Sequence, residues 1–430
     1  MQLNEKQQQA VALITSPNFK SPFGLFGSAG TGKTSTMRHL PKTMQVAFVA
    51  PTNKAVSVLI ESGCDTEHCM TIYSFLGLQV NEKTGKTTID KKGRCKEWDY
   101  DVLVLDECSM ANSDICNRLI ALRSDLKIIL MGDTAQLPPV GEKTSPAFEL
   151  VRDNYIILTE QMRQANELNP MHKLLAAMRD SVDSGVMVDY SQYVGQVQTD
   201  NGKNGVVITR NANQFEAWIK GAFKRGDSHC AVVAWYNDRI DYFNAMIHEH
   251  LFPSLPRVNW QDYNPPLDSQ LAYCLGETLT FQRAFKVGSD VLATNGSTVE
   301  VETVEAKQEK IIIGKFKVLL DCLLINGQFL TPCNRNEFNN WLGQLQNNLA
   351  ANKEAGCDYS WGEFYLLREH FADLRHSYCI TAVKSQGSTY DNVFIDIPNI
   401  QQMPEGQKEK NRCLYTAISR ARHNVILLVQ

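Results

Sequence analysis

Eight residues, Gly27-Ser28-Ala29-Gly30-Thr31-Gly32-Lys33-Thr34, fit the pattern G-x-x-x-x-G-K-[ST] and stand between an apolar run, Phe23 to Phe26, and a helical stretch, Ser35 to Leu40. That order leaves few folds open. A buried strand must feed a glycine loop whose backbone N–H groups turn onto an anion, and the helix that follows directs its positive end at the same point. Gly27, Ser28, Ala29, Gly30, Thr31 and Gly32 are the expected phosphate cradle, with Lys33 holding the β- and γ-phosphates. The Thr34 hydroxyl is short enough to enter the inner shell of Mg²⁺, which prefers oxygen ligands. A second apolar run, Val102 to Leu105, ends in Asp106-Glu107. Parallel strands deliver their C-terminal residues into the ligand crevice. Asp106 is therefore expected at Mg²⁺, directly or through water, and Glu107 is expected to orient or deprotonate an attacking water. ATP and Mg²⁺ are the cofactors this reading requires.

The chain has 430 residues, 43% hydrophobic and 21% charged, which is more than one domain needs and enough to bury substantial cores. Residues 1 to 160 alternate short apolar runs with helical stretches, the pattern of a parallel sheet with covering helices. Phe23 to Phe26, Val46 to Ala50, Val102 to Leu105 and Lys127 to Met131 are the expected strands. Gln79 to Tyr100 interrupts them as an inserted ribbon, where Lys83-Thr84-Gly85-Lys86 suits a hairpin turn. A second α/β segment is expected from near Tyr155, with strands at Ala231 to Trp235, Asn392 to Ile397 and Asn424 to Val429. Between Val258 and Arg375 the composition changes to β-rich runs, Thr298 to Val304 and Lys310 to Leu324, followed by Asn/Gln-rich helical sequence with Trp341 and Trp361. This stretch reads as a small β-barrel insertion with helical decoration. The two α/β halves could be distant structural duplicates, although no identity between them is visible.

Forty-three Lys+Arg against 47 Asp+Glu give a net charge of −4, which argues against binding polyanions through bulk charge and leaves local basic strips open. Twelve cysteines with no C-x-x-C pair exclude a zinc ribbon and a thioredoxin-like motif, so reduced, mostly buried thiols are expected. The polar start and the lack of an apolar run of membrane-spanning length lead us to expect no signal peptide and no membrane span, and a cytoplasmic protein. His248-Glu249-His250 is not H-E-x-x-H and reads as surface. No further Asp/Glu cluster with metal-ligand spacing accompanies Asp106 and Glu107, so a nuclease activity is not expected.

Further motifs extend the pattern over nearly the whole chain: Leu3 to Ala10, Ala50-Pro51-Thr52-Asn53-Lys54-Ala55, Thr71-Ile72-Tyr73-Ser74-Phe75-Leu76, Gly132-Asp133-Thr134-Ala135-Gln136-Leu137-Pro138-Pro139-Val140-Gly141, Leu158 to Arg163, Thr381 to Thr389 and Tyr415 to Arg422. In this combination the chain resembles superfamily 1 DNA helicases of the RecD/Dda type. The resemblance implies an α/β fold of two RecA-like P-loop domains. The first spans 1–78 and 101–154, with an inserted hairpin at 79–100 acting as a strand-separating wedge. The second spans 155–257 and 376–430, with an SH3-like β-barrel insertion at 258–375. It further implies that Gln7 reads adenine, that Gln136 senses the γ-phosphate, and that Arg163 and Arg420 reach the phosphates, as planar and permanently charged guanidinium groups suit. Gln386 and Gly387 lean toward the nucleotide. Pro51, Thr52, Asn53, Thr71, Tyr73, Trp235, Asn237, Asn295, Gly296, Thr381, Lys384 and Ser385 are the implied DNA contacts, since hydroxyls and amides suit phosphate oxygens and aromatics stack on bases. Ile89 lies near the position where relatives present an apolar or aromatic wedge tip. The sequence departs from the family at Val383, where relatives usually carry histidine.

The expected activity is therefore ATP-dependent translocation on single-stranded DNA, 5′ to 3′ by resemblance, with unwinding of duplex junctions. A monomer in bacterial or phage-infected cytoplasm is expected, with single-strand-binding, replication or recombination proteins as the implied partner class. Two other readings compete. A P-loop ATPase that remodels protein would lack the motifs at Pro51 to Lys54 and Thr381 to Gln386. An inactive subunit of a nuclease complex would have lost the lysine, an acid or an arginine finger. Neither loss is present.

Overall fold

The computed structural model describes residues 3–80, 87–89, 94–160, 169–199, 202–225, 229–253, 273–287, 290–293, 295–313, 316–356 and 360–430. By internal contacts the chain forms two compact units, one of Met1–Phe215, His229–Tyr236 and Ile380–Gln430, the other of Glu216–Ser228 and Asn237–Cys379.

The first unit holds two six-stranded sheets. Across the first, the strands run Cys69–Thr71, Val46–Ala50, Val102–Leu105, Lys127–Gly132, Phe23–Gly27 and Tyr155–Leu158, all parallel. The apolar runs show no alternation because both faces of the sheet are covered. Side chains leave a strand on opposite faces in turn, so Leu103 and Leu105 enter one core with Ala47, Val49, Ile128 and Leu130. Val102 and Val104 enter the other with Phe48, Ala50, Ile129 and Met131. The registers, Phe26 beside Gly132 and Val49 beside Leu105, bring the glycine loop, Pro51, Asp106 and Asp133 out along one edge. Four strands fall within a residue of expectation. Tyr155–Leu158 differs: expected to open the second α/β segment, it pairs with Phe23–Gly27 as the edge of the first sheet. Its run Tyr155-Ile156-Ile157-Leu158 is apolar throughout although half-exposed, so the sequence marks a strand there without saying which sheet it joins.

The second sheet runs Cys379–Thr381, Cys230–Ala234, Tyr390–Asp396, Ala421–Leu428, Gly202–Thr209 and Gly195–Thr199. Val206, Val233, Val393, Ile395, Val425 and Leu427 share a core with Met171, Leu174 and Met178 of helix Pro170–Ser184 and with Leu414 and Ile418 of helix Gln407–Ile418. Both sheets carry the same local device at one edge: a three-residue strand ends in a threonine whose hydroxyl caps a four-residue helix. Thr71 Oγ1 accepts from Ser74 N at 3.1 Å, and Thr381 Oγ1 from Lys384 N at 3.1 Å. Such caps satisfy backbone donors that the helix start would leave orphaned.

In the ribbon, Leu78–Val80 pairs antiparallel with Thr87–Ile89, and the expected turn residues 83–86 lie outside the described residues. The register corrects one expectation. Ile89 pairs with Leu78, at the end of the ladder farthest from the turn, so it stands at the base of the ribbon and not at its tip.

In the second unit, Tyr273, Leu279, Phe281, Phe285, Val304, Leu323, Ile325 and Phe329 form one core. The strands around it make separate small sheets, Thr298–Glu300 with Thr278–Phe281 and Leu374–Arg375, Phe285–Val287 with Asp290–Ala293, and Val304–Ile313 with Phe316–Ile325 and Phe329–Pro332. Among the described residues no ladder closes them into a barrel. Helices Arg335–Glu354 and Trp361–His370 cover the long hairpin through Phe338, Leu345, Leu349 and Leu367. His248, expected at the surface, is buried in this unit on helix Asn237–Leu251. The helix turns Ile247 and His248 inward and leaves Glu249 and His250 exposed, a periodicity that reading three adjacent polar residues as one patch overlooks. No helix among the described residues is long and apolar enough to cross a membrane.

Candidate nucleotide site and its coupling to the second sheet

The glycine loop leaves strand Phe23–Gly27 and enters helix Lys33–Met37. Gly30 and Gly32 hold φ of 86° and 79°, left-handed conformations that side chains resist and that curl the loop's N–H groups inward. Lys33 Nζ spans the curl, donating to the carbonyls of Gly27 at 2.7 Å and Ser28 at 3.1 Å. Thr31 Oγ1 donates to Ser28 O at 2.9 Å and locks the loop from within. Gln7 is buried beneath it. Its amide donates to Thr31 O at 3.2 Å and accepts from Asn4 N at 3.0 Å within a capping box, so it supports the loop as well as facing the cleft.

A cleft of about 550 Å³ opens above the loop, lined by Lys33, Thr34, Asp106, Glu107, Gln136 and Arg420 among others. Asp106 Oδ1 accepts from Glu107 N at 2.9 Å. Burial and the neighbouring Glu107 carboxylate push the Asp106 carboxyl up to about 6, against the pull of Lys33. Thr34 and Asp106 thus offer a hydroxyl and a carboxylate oxygen at one place, a hard-oxygen pair that fits Mg²⁺. Glu107 has φ 52° and ψ 41°, in the left-handed region that a glutamate rarely adopts. Such strain collects at functional positions. Here it carries the chain sharply off the strand end and leaves Glu107 lining the cleft.

Arg420 reaches this point from the turn between helix Gln407–Ile418 and strand Ala421–Leu428. It is 4% exposed, braced by Nε to Thr416 O at 3.2 Å and Nη2 to Ser419 Oγ at 2.8 Å, with Nη1 3.7 Å from Glu107 Oε1. The Gln136 amide lies between the two. Oriented to satisfy both neighbours, it donates to Glu107 Oε2 at 3.1 Å and accepts from Arg420 Nη2 at 2.8 Å. Lysine loop, acid, amide and guanidinium therefore meet in one cleft. Arg163 lies outside the described residues.

The segment around Gln136 is stitched to the second sheet's helices. Arg412 Nη1 donates to the carbonyls of Thr134 at 2.9 Å and Gln136 at 3.0 Å, Thr416 Oγ1 accepts from Leu137 N at 3.1 Å, and Gln386 Nε2 donates to Leu137 O at 3.1 Å. Asp133 is fully buried, salt-bridged by Arg179 Nη1 at 2.5 Å and hydrogen-bonded by the Tyr415 hydroxyl. Burial and Asp133 push the Tyr415 phenol well up, so it remains a donor. Sequence reasoning missed the coupling roles of Arg179, Arg412 and Thr416. Nothing local marks Arg179, a single arginine on an amphipathic helix. We expect Arg179→Met to destabilise the protein by about 3–5 kcal/mol in chemical denaturation, because it strands a buried carboxylate. Adding Asp133→Asn should recover much of that loss, and a double mutant no more stable than the single would refute the pairing.

Gly387 approaches the first sheet's lobe closely. With φ 71°, a Cβ there would stand 3.0 Å from Ala55 Cβ, so only glycine fits without displacement. Of the implied DNA contacts, Pro51 and Thr52 are part-buried and Asn53 is exposed at the start of helix Asn53–Glu61, with Thr52 capping it through Ala55 N at 3.2 Å. Tyr73 packs in part on the first core, and Trp235 on the second, its N–H donating to Asn399 Oδ1 at 2.8 Å. Lys384 is exposed. Ser385 is corrected: it is fully buried with its hydroxyl donating to Ala382 O at 2.7 Å, so it closes the turn and does not face a strand of DNA. In the other unit, Asn237 is exposed at the start of its helix, and Asn295-Gly296 forms a turn with Gly296 at φ 81°.

Comparison with known proteins agrees with this geometry. Residues 2–199 match the AAA domain family and residues 376–428 the UvrD-like helicase C-terminal domain family. An uncharacterized protein of Acanthamoeba polyphaga mimivirus is 24% identical over 99% of this chain and 100% of its own length. The ATP-dependent RecD2 DNA helicase of Deinococcus radiodurans is 31% identical over 34% of this chain, and the RecBCD enzyme subunit RecD of Buchnera aphidicola 29% over 32%. Those matches span only 20% and 27% of the relatives' lengths. Among solved structures, a Bacteroides Pif1 helicase with ADP-AlF3 and single-stranded DNA superposes with TM-score 0.52 over 99% of this chain and 92% of that one, at 16% identity. A structure of two Pif1 helicases on forked duplex DNA gives 0.51, over 100% and 92%. The fold is that of two RecA-like α/β domains. Together these findings make the chain similar to helicases of the RecD kind over about a third of its length and similar in fold to the Pif1 helicases.

Proposed function

We propose that the chain is an ATP-dependent DNA helicase that moves 5′ to 3′ on single-stranded DNA, and that within its class it stands closest to the phage Dda helicase. The observation that carries the reading is the contact of Arg420, from the second sheet's lobe, with Glu107 and Gln136 of the first, above the Lys33 loop. Lys33 would exchange its two loop carbonyls for phosphate oxygens. Glu107 would hold and orient the attacking water, while Arg420 would meet the charge spreading over the transferring phosphoryl group. Mg²⁺, when held by Thr34 and Asp106, would supply a cation for the phosphate oxygens. Gln136 touches both the acid and the guanidinium, so loss of the γ-phosphate would change its partners. Its backbone neighbours at Thr134 and Leu137 are bonded to Arg412, Thr416 and Gln386, and would pass that change to the second lobe.

The exposed or part-exposed groups at Thr52, Asn53, Thr71, Thr381 and Lys384 supply hydroxyls, an amide and an ammonium for phosphates, with Tyr73 and Trp235 as part-buried aromatics for stacking. In this reading 1–78 and 101–158 make the first RecA-like domain, and 79–100 the wedge. The second domain comes from 159–257 and 376–430, around an SH3-like insertion at 258–375. Grips that alternate in strength as the cleft closes and opens would advance the strand. That the Bacteroides Pif1 structure holds single-stranded DNA and ADP-AlF3 supports this choice of ligands.

The test is unwinding of matched duplexes bearing a 5′ or a 3′ single-stranded tail, with ATP and Mg²⁺, run beside a variant whose residues 81–86 are replaced by a short Gly-Ser turn. Unwinding from the 5′ tail alone is expected, with the ribbon variant losing far more unwinding than single-strand-stimulated ATPase. Unwinding only from the 3′ tail would reverse the polarity. ATPase without unwinding on either substrate would favour a remodelling ATPase, and equal losses in both assays would remove the wedge.

A further inference from the structure

Three segments of the second unit meet at a buried knot of ionisable side chains that the nucleotide cleft does not use. Helix Asn237–Leu251 contributes His248, the approach to strand Thr278–Phe281 contributes Glu277, and the residues after strand Leu374–Arg375 contribute His376 and Tyr378. Glu277 is 1% exposed, His248 6% and His376 7%. One carboxylate oxygen, Glu277 Oε1, lies 3.0 Å from His248 Nδ1, 2.7 Å from His376 Nδ1 and 2.8 Å from the Tyr378 hydroxyl. The second oxygen accepts from Cys274 N, at 3.1 Å. The two imidazoles are tilted by 36° with centroids 4.6 Å apart, and one donor atom from each of His248, Glu277 and His376 lies within 4.8 Å of the others.

As a hydrogen-bonded cluster alone, this arrangement is poorly balanced. A carboxylate oxygen has two lone-pair directions, yet three donors crowd Oε1, while the buried Nε2 of His376 has no partner among the described residues. Both rings bring Nδ1 to the same oxygen, so one possible ligand atom of each residue stands at a common point. We propose that His248, Glu277 and His376 form a binding site for a divalent transition metal of the zinc class. Two imidazole nitrogens and one carboxylate oxygen suit zinc, whereas magnesium and calcium take oxygen ligands. Around them sit the outer partners that metal sites use to fix their ligands. The Tyr378 hydroxyl orients Glu277, and Cys274 Sγ faces the far nitrogen of His248 at 4.0 Å. The site would pin together three segments that are far apart in sequence.

The test uses the full-length chain, purified without a histidine tag, stripped with a chelator and titrated with zinc against a chromophoric competitor. Stoichiometric binding is expected, weakened about tenfold or more in His376→Gln and Glu277→Gln and unchanged in His250→Gln, whose side chain is exposed two residues from His248. If the buried variants fail to fold, the wild-type chain decides alone: chelation should lower its Tm, and zinc, but not magnesium, should restore it. Absence of zinc binding, or binding lost in His250→Gln but kept in His376→Gln, would reduce the knot to hydrogen-bonded packing and overturn the proposal.

Discussion

Lys33→Ala is expected to bring DNA-stimulated ATP hydrolysis down to background while binding of single-stranded DNA stays measurable. Its ammonium is the cation the loop itself provides, and it spans the mouth of the cradle through bonds to the carbonyls of Gly27 and Ser28. Losing those two bonds from an ammonium costs about 1.5 to 3 kcal/mol each at most, less where cleft water replaces them. The fold should therefore survive, and the effect should appear in turnover. None of the implied DNA-contact residues takes its local geometry from Lys33, so a shift assay on labelled single strands should register binding. Turnover well above background would remove the loop from the chemistry.

Arg420→Ala should lower the rate of hydrolysis by roughly 10³ to 10⁵, the range associated with a guanidinium that neutralises charge on a transferring phosphoryl group. Arg420→Lys should rescue little of it. Lysine presents a point charge on a flexible stem, whereas Arg420 uses separate nitrogens for Thr416, Ser419 and Glu107. Nucleotide affinity should fall far less than turnover, which separates a transition-state contact from general loss of binding. A lysine variant with near-normal turnover would mean that charge alone matters and that the fork geometry does not.

The central strands of the first sheet were legible because burial on both faces writes itself as uninterrupted Val, Leu, Ile and Phe. Tyr155–Leu158 was misassigned for a different reason: its apolar run marks a strand, but nothing local says which sheet it joins, while the three-residue Cys69–Thr71 carries little of the pattern. The cleft was legible where chemistry demands particular residue types in sequence, as at Gly27 to Thr34 and Asp106-Glu107. It was illegible where distant residues complete it. Arg179 acquires its role only by meeting Asp133 across 46 positions, and His248 meets Glu277 and His376 across 29 and 128 (376 − 248). Ser385 shows a subtler limit. A motif predicts that a hydroxyl will be present, but the turn it sits in decides whether that hydroxyl faces outward.

Of the bonds that tie the Gln136 segment to Arg179, Arg412, Thr416 and Gln386, those at Leu137 are buried, those at Asp133 and Gln136 part-buried and those at Thr134 exposed, whereas farther out Lys54 meets Tyr390 through one hydrogen bond of 3.1 Å and the ring face. An exposed pairing of that kind is worth about 1 kcal/mol or less. If the lobes move as proposed, a motion that spares the buried bonds at Leu137 would swing about that residue and yield first at Lys54. The glutamine that touches the acid would then sit close to the axle, where small rotations at the nucleotide become large displacements at the rim.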